Sequence, residues 1–282
     1  MTFVRALLFR GESNYRRRGH SRWGAIESRN FYLRAPVLSI SQTASQFMRT
    51  TIVAACISGG LLFISGGLRA QQRPVVVELF TSEGCSSCPP AEAYVGELAQ
   101  RPDVLALSFH VDYWDDLGWR DRFDIPEATP RQRRYAQTLS LSSVYTPQIV
   151  VDGYENFVGS DRRKIGRSLS TPRTGIPVSI AVNEGTVIVD LATAVGGPRG
   201  DVVLVAYQQS AISSIGRGEN SGRTLTEYHI VRAVRQLGSY NGDAEQYATD
   251  IGSLPKDATH VAVLVQLPGQ GRVVAASSHA LR

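Results

Sequence analysis

Two cysteines separated by two serines, Cys85 and Cys88, are the side chains of this chain best suited to covalent chemistry. Pro89 and Pro90 follow them, and a first helical turn tolerates proline, so the pair lies at the start of a predicted helix. The dipole and free N–H groups of a helix N-terminus favour a thiolate, and a thiol one turn further on can resolve a mixed disulfide. The spacing therefore favours a redox-active pair.

Two other interpretations of the cysteine pair stay open. Half of a zinc site would need two further ligands, and the chain contains no second cysteine pair. A purely structural disulfide between Cys85 and Cys88 would close a very small loop and stabilise the fold little. We predict the redox interpretation, in which the disulfide itself is the reactive group, no other cofactor is required and no residue is assigned as a metal ligand.

A proline directly before a predicted strand is the second chemical signal. Pro147 follows Thr146 and precedes the strand predicted over Gln148–Val151. Proline lacks a backbone donor, so its place next to a central strand needs a reason. A cis Thr146–Pro147 bond would expose the Thr146 backbone to pair with an incoming peptide, whereas the plainer interpretation is a trans turn proline. We predict the cis form and a substrate-binding role for both residues.

An aromatic and acidic segment, residues 112–130, separates the second predicted strand from the next predicted helix. It contains Tyr113, Trp114 and Trp119. Irregular surface segments often carry binding residues, so these rings would cover the disulfide and line a substrate cleft. Packing of one domain on another is an equally good explanation, because buried aromatic rings serve both purposes.

Three titratable side chains accompany the cysteine pair as supporting candidates. Glu78 and Glu83 flank the motif, and a carboxylate near a dithiol raises thiol pKa values and can shuttle protons. Glu83 is favoured over Glu78 because it is nearer in sequence, although it could cap the loop and Glu78 could be paired in the core. His110 ends a predicted strand and is a candidate base or metal ligand, with a satisfied structural histidine as the alternative.

The predicted elements divide the chain after the leader into two parts. The first part has the order β-α-β-loop-α-β-β-α, and its predicted elements are Val75–Phe80, Ala91–Ala99, Val104–Val111, 130–139, Gln148–Val151, Asn156–Gly159 and Arg162–Leu169. The second part has successive short strands and Gly-rich turns, with predicted strands over Val178–Val182, Thr186–Ala194, Asp201–Gln208, Thr226–Arg235, His260–Gln266 and Arg272–Ala276. The expected fold class is an α/β thioredoxin-like domain over 71–173, with the insertion 112–130, followed by an all-β sandwich-like C-terminal domain over 174–282.

The net positive charge of the chain comes from its first 70 residues. Residues 1–70 hold ten arginines against two glutamates, a net charge of +8, so the total of +5 leaves −3 for the rest. The rest of the chain therefore lacks the net positive charge that would indicate a nucleic-acid partner. Residues 48–70 run from Met48-Arg49 through an apolar stretch to Ala70, which is typical of a secretory signal peptide. Residues 1–47 are then a non-structural or wrongly assigned extension.

Several segments together resemble a known family. They are 78–90 around the cysteines, 110–119 with the aromatic residues, 144–148 with Thr146-Pro147, and Gly218–Arg223 in the second part. They are similar to an uncharacterised secreted family, domain of unknown function 1223, which is assigned to the thioredoxin-like superfamily. The resemblance covers nearly everything from Val75 to the C-terminus and implies a fold and export more firmly than an activity.

The sequence thus predicts an exported thiol–disulfide oxidoreductase, located in the periplasm or secreted. Cys85 would attack or be attacked, Cys88 would resolve, and the partner would be a thiol-containing protein or a small thiol. Contact with a membrane is expected only through an uncleaved leader. The alternative is a non-catalytic periplasmic binding or soft-metal module that holds Cu(I) through the same cysteines. A further alternative is a β-domain that binds a partner under the control of the redox pair.

Overall fold

The computed structural model describes residues 71–282. The predicted extension 1–47 and the predicted signal peptide 48–70 lie outside the described residues. Within the described part, no helix has both the length and the apolar character that a membrane span requires.

The described residues form three α-helices and thirteen β-strands. The helices are α1 (Pro89–Leu98), α2 (Ala128–Thr138) and α3 (Arg162–Leu169). The first six strands are β1 (Gln71–Arg73), β2 (Val75–Thr81), β3 (Val104–His110), β4 (Gln148–Val151), β5 (Glu155–Val158) and β6 (Arg173–Gly175). The other seven are β7 (Val178–Asn183), β8 (Thr186–Leu191), β9 (Gly200–Ser214), β10 (Thr224–Tyr240), β11 (Glu245–Asp250), β12 (His260–Gln266) and β13 (Val273–Ala280).

Eight strands form one mixed sheet in the order β13-β12-β9-β10-β3-β2-β4-β5. Both β2 and β10 run parallel to β3, and the other neighbouring pairs are antiparallel. A second sheet has the order β11-β8-β7, and β1 pairs with β6. The strand β3 is therefore held between one strand from the first part of the chain and one from the second.

Alternation along β2 decides which helix each side chain meets. Successive side chains of a strand point to opposite faces, so Val77 and Leu79 pack in one core cluster with residues of α1 and α3, whereas Phe80 packs in another with Tyr135 of α2. The sheet is thus covered on both faces, and every residue of β2 is buried. A third cluster fills the space between β7, β8 and the β9–β12 half of the large sheet.

The predicted fold class is wrong. The described chain is mostly β-structure, and it is not an α/β thioredoxin-like domain followed by a separate all-β sandwich. Strands from both predicted parts belong to the same eight-stranded sheet, because β10 pairs with β3 at Ile230 and Ser108 and so continues the sheet. Periodicity locates strands in a sequence, but it does not specify which strand pairs with which.

Candidate functional site

The Cys85 and Cys88 side chains form a disulfide at the start of α1. The S–S distance is 2.14 Å, and Cys88 is the N-cap residue directly before the helix. Its carbonyl oxygen accepts hydrogen bonds from the backbone N–H groups of Ala91 and Glu92. Both cysteines are buried, with exposed fractions of 0% and 1%, whereas the two intervening serines are exposed. The disulfide therefore lies just beneath a polar surface turn.

Glu83 connects the turn before the cysteines to two other parts of the chain. Its buried carboxylate accepts hydrogen bonds from Trp119 Nε1 at 2.8 Å and from the Ser213 hydroxyl, and its backbone N–H donates to Asp121 Oδ2 at 2.7 Å. The guanidinium of Arg122 lies 3.7 Å from the same carboxylate. Because the segment 112–130 and Ser213 both hold Glu83, this residue fixes the position of the turn that carries Cys85.

We call the turn at residues 83–88, which carries both cysteines, the cysteine turn. The segment 216–223, which we call the covering loop, lies against it. Asn220 is buried, and its side-chain amide donates to the carbonyl oxygens of Glu83 at 2.9 Å and Cys85 at 3.0 Å. Glu219 accepts hydrogen bonds from the backbone N–H of Ser86 at 3.2 Å and from its hydroxyl at 2.6 Å. A loop from the second part of the chain thus completes the surroundings of the disulfide.

Trp114 links the cysteine turn to residues 145–147, which we call the proline loop. A Cβ placed on Gly84 would lie 3.3 Å from the Cβ of Trp114, and the indole Nε1 donates to Thr146 Oγ1 at 2.9 Å. The Thr146–Pro147 bond is cis, as the sequence predicts. Pro147 and Ala91 of α1 both lie against Gly159. Both predicted motifs therefore lie beside the start of α1.

Tyr113 and Trp119 contact different parts of the site. The Tyr113 hydroxyl donates to Gln132 Oε1 at 3.2 Å, and the Gln132 amide donates to the Tyr145 carbonyl oxygen at 2.7 Å, next to the proline loop. Trp119 contacts the covering loop at Gly218, where an added Cβ would lie 3.1 Å from the Trp119 Cβ. The segment 112–130 therefore contacts both the cysteine turn and the second part of the chain.

Glu78 belongs to a different group of side chains. It faces α2, on the sheet face away from α1, and its carboxylate accepts hydrogen bonds from Arg131 Nε at 2.5 Å and the Tyr135 hydroxyl at 2.5 Å. Gln266 completes the group by donating to the Tyr135 hydroxyl at 2.8 Å. Arg131 is itself buried in this ion pair.

His110 is buried beneath α1 and joins a second set of charged groups. Its Nδ1 lies 2.8 Å from Asp121 Oδ2, and its Nε2 makes no hydrogen bond. One ligand-type atom each of His110, Glu92 of α1 and Glu227 of β10 lie within 4.8 Å of one another. We call these three residues the buried triad. Among the described residues, no other group of three or more such side chains converges in this way.

Burial controls the protonation of the triad. It raises the pKa of Glu92 to about 7 and, with the charge of Glu92, the pKa of Glu227 to about 10. Burial by itself would lower the pKa of His110, but the charge and hydrogen bond of Asp121 raise it to about 9. Burial opposes ionisation of Asp121 as well, yet the His110 charge lowers its pKa overall. The carboxylates of the triad therefore hold protons at pH values where exposed ones are ionised.

Sequence reasoning missed several residues of this region. Glu92 follows Cys88 by four residues, one helical turn, and that spacing was an available signal for a side chain near the cysteines. Asn220 lies in a segment noted only for its family resemblance and its turn-like composition. Glu227 carries no local signal, since it is one of several polar residues in a strand.

Comparisons with known proteins give a family and two similar structures. No curated protein matches the chain. Protein AGR_C_4864 from Agrobacterium tumefaciens, a crystal structure, is 30% identical with a TM-score of 0.66, over 76% of this chain and 97% of that chain. HBP35 of Porphyromonas gingivalis is 17% identical with a TM-score of 0.50, over 74% of this chain and 76% of that chain, a likeness that concerns the fold alone.

The family match covers the cysteine turn, the segment 112–130, the proline loop, the covering loop and all three residues of the buried triad. It extends over residues 76–266, more than half of the chain, and the family is described as "Protein of unknown function (DUF1223)". The chain belongs to the DUF1223 family.

Proposed function

We propose that this protein is an exported thiol–disulfide oxidoreductase that acts through Cys85 and Cys88. The observation that carries the proposal is the disulfide between them at the beginning of α1. A thiolate formed there is favoured by the helix dipole and the free N–H groups of the first turn. Ser87 Oγ lies 3.4 Å from Cys85 Sγ and supplies a further polar contact.

The reaction is an exchange of one S–S bond for another. A thiolate of the partner attacks Cys85 Sγ, the Cys85–Cys88 bond breaks, and Cys88 Sγ leaves as a thiolate that takes up a proton. A second thiolate of the partner then attacks the partner's sulfur in the mixed disulfide and releases Cys85. The protein gains two electrons and two protons, and the partner's dithiol becomes a disulfide. In the reverse direction the same steps oxidise Cys85 and Cys88.

Access to the sulfurs requires movement of the covering loop. Both cysteines are buried, whereas the contacts of Glu219 with Ser86 are exposed to solvent and so exchange readily with water. Displacing Glu219 uncovers the turn without breaking the sheet. Thr146 is partly exposed next to the cis bond, so its backbone is the element that would pair with an extended segment of a protein partner.

The site of action in this proposal is outside the cytoplasm, in the periplasm or the surrounding medium. The support is the signal-peptide pattern over residues 48–70 together with an oxidised cysteine pair, since disulfides persist in oxidising compartments. The test is the N-terminal sequence of the protein recovered from the exported fraction, which we expect to begin at Gln71. Recovery of the whole uncleaved chain in the cytoplasm would contradict export.

Trapping of a mixed disulfide tests the oxidoreductase proposal. The full chain carries Cys56→Ser, so that Cys85 and Cys88 are its only cysteines, and it is compared with versions that also carry Cys88→Ser or Cys85→Ser. With oxidised glutathione as probe, we expect Cys88→Ser to form one glutathione adduct per chain, detected by mass spectrometry and released by dithiothreitol. Cys85→Ser is the matched control and should react much more slowly.

Two outcomes would overturn the proposal. One is the absence of an adduct on folded Cys88→Ser. The other is stoichiometric binding of Cu(I) by the reduced protein with no exchange activity, which would favour the soft-metal alternative. The reduction potential of the pair, measured in glutathione buffers, then separates an oxidase from a reductase.

A further inference from the structure

The buried triad combines three features that no packing role explains. Its members come from different elements, α1, the end of β3 and β10, and their exposed fractions are 4% for Glu92, 0% for His110 and 1% for Glu227. Both carboxylate oxygens of Glu92, His110 Nε2 and Glu227 Oε2 lack a partner with hydrogen-bond geometry, although the carboxyl groups of Glu92 and Glu227 lie close enough to affect each other's pKa. Buried polar atoms are almost always paired, so three residues with unpaired atoms, one atom of each within 4.8 Å of the others, indicate a missing partner that binds all three.

The donor atoms and their orientation suit a divalent metal ion. Zinc in proteins is bound by imidazole nitrogen and carboxylate oxygen, with three protein ligands where a position stays open. In the neutral imidazole that a metal ion requires, His110 Nδ1–H donates to the ionised Asp121 and the Nε2 lone pair is directed toward the two glutamates. The raised pKa of about 9 keeps a proton on Nε2 in the metal-free chain, and the ion would displace that proton. A carboxylate behind the ligating imidazole is the usual outer contact of a metal-bound histidine.

A groove leads from the surface to this group. It has a volume of about 540 Å³ and runs between α1 and the first residues of β10. Glu92 and Glu227 both line it, together with Gly96 and Tyr228. Glu92 and Glu227 therefore border a groove that opens to solvent, while their unpaired carboxylate oxygens are buried, so an ion would enter through a displacement of these side chains.

We propose that Glu92, His110 through Nε2, and Glu227 bind one divalent transition-metal ion, with Zn²⁺ as the reference ion. The proposal goes beyond the redox function and does not depend on it, because neither Cys85 nor Cys88 belongs to the triad. Ligand atoms within 4.8 Å of one another need only a small closing movement to reach Zn–O and Zn–N distances of about 2.0–2.2 Å.

The electrostatics of the metal-free triad agree with this assignment. Burial raises the pKa of both glutamates, and the charge of Glu92 raises that of Glu227 further. Asp121 and Glu83 add further negative charge on the His110 side. A divalent cation would replace the protons of the triad and neutralise this charge, so binding should release protons.

Metal titration of the full chain tests the proposal. The protein is prepared without a histidine tag, carries Cys56→Ser, and is stripped with a chelator before titration with Zn²⁺. We expect one Zn²⁺ per chain by calorimetry and by elemental analysis after gel filtration. With Co²⁺ in place of Zn²⁺, we expect the visible bands of a site with oxygen and nitrogen ligands and no thiolate charge-transfer band.

Variants distinguish the triad from the cysteines. Glu92→Gln, Glu227→Gln and His110→Gln should each weaken Zn²⁺ binding more than about 100-fold, and Asp121→Asn should weaken it about 10–100-fold through the orientation of His110. The double variant Cys85→Ser/Cys88→Ser and the exposed-carboxylate variant Glu219→Gln should bind as the parent does. Circular dichroism confirms folding, and the near-isosteric glutamine changes at positions 92 and 227 keep the test valid if His110→Gln fails to fold.

Three results would overturn the proposal. They are a folded, stripped parent that takes up no Zn²⁺ or Co²⁺, Glu92→Gln and Glu227→Gln variants that bind as the parent does, and binding that disappears in the cysteine double variant alone. None of these results bears on the trapping of a mixed disulfide with Cys88→Ser, so the two proposals fail separately.

Discussion

The side-chain amide of Asn220 donates a hydrogen bond to the carbonyl oxygen of Cys85 at 3.0 Å, across 135 positions of sequence. The same amide donates to the Glu83 carbonyl oxygen at 2.9 Å, so one buried side chain holds both ends of the turn that leads into the disulfide. The covering loop is thus part of the cysteine site, although it belongs to the other half of the chain.

Removing this amide should loosen the cysteine turn. Asn220→Ala removes the side-chain donor of the Glu83 carbonyl oxygen and leaves the Cys85 carbonyl oxygen with the Cys88 backbone N–H, so we expect a loss of about 1–3 kcal/mol in the free energy of unfolding, together with faster reduction by dithiothreitol. Urea unfolding and the rate of thiol release measure the two effects. Ser221→Ala, an exposed neighbour in the same loop, is the control and should change neither. Unchanged stability in Asn220→Ala would contradict the assigned role.

Glu219 should control access to the disulfide rather than stability. Its contacts with Ser86 are exposed, so Glu219→Ala should leave the free energy of unfolding nearly unchanged and still accelerate disulfide reduction. The measurement is the rate of thiol release at fixed dithiothreitol concentration. Asp116→Ala removes an exposed carboxylate from the neighbouring segment 112–130 and serves as the control. Equal rates for both variants and the parent would argue against a covering role.

The metal-free protein should become less stable as the pH rises. The pKa values of Glu92, Glu227 and His110 are raised in the folded state to about 7, about 10 and about 9, so the folded chain binds more protons than the unfolded chain. The contributions of the glutamates are complete below about pH 4.5 and that of His110 below about pH 6.5, and each is lost as the pH passes its raised value.

Urea unfolding in the presence of a chelator, from about pH 5 to about pH 9, measures this dependence. Glu227→Gln removes one of the titrating groups, so its stability should fall less steeply with pH than that of the parent. A free energy of unfolding that rises with pH in the parent, or identical slopes in parent and variant, would contradict the protonation of the triad.

A methyl group at Gly96 should force α1 away from β10. An added Cβ would lie 2.6 Å from Tyr228 Cε2, which is closer than the ring allows without moving. We expect Gly96→Ala to lower the free energy of unfolding by about 1–3 kcal/mol. Gly166→Ala in α3 is the matched control, because no atom lies within 4 Å of its added Cβ and alanine favours the helix by about 1 kcal/mol. In thermal unfolding, a lower Tm for Gly96→Ala together with a higher Tm for Gly166→Ala would support the prediction.

Asp152 should be essential for the junction of β1, β6 and the β4–β5 turn. Its buried carboxylate lies 2.7 Å from both Arg73 Nη1 and Arg173 Nε, and it accepts the backbone N–H of Val76 at 3.0 Å. Asp152→Asn removes the charge that the largely buried Arg73 and Arg173 side chains share and leaves Arg173 the longer contact with Glu155 at 3.6 Å, so we expect a loss of about 3–5 kcal/mol. Asp103→Asn breaks an exposed pair with Arg101 and should cost less than about 1 kcal/mol. Comparable losses in urea unfolding for both variants would contradict the role of burial.

Local pattern predicts the elements of this fold well. The bounds predicted for Gln148–Val151, Arg162–Leu169 and His260–Gln266 are those of the structure, because apolar periodicity and capping residues act over a few neighbouring positions. Asp161 caps α3 by accepting the Lys164 backbone N–H at 3.1 Å. The strand β11 was missed, since its alternating exposure carries few strongly apolar residues.

The disulfide between Cys85 and Cys88 and the cis Thr146–Pro147 bond were predictable from the sequence alone, because residue type and spacing within a short segment suffice for both. Which residues surround them was decided only by the tertiary structure. Pairing of β10 with β3 merges the two predicted domains into one sheet and places Glu227 beside Glu92 and His110. Such contacts join residues more than a hundred positions apart, and they arise from strand order and burial, which short-range periodicity does not encode.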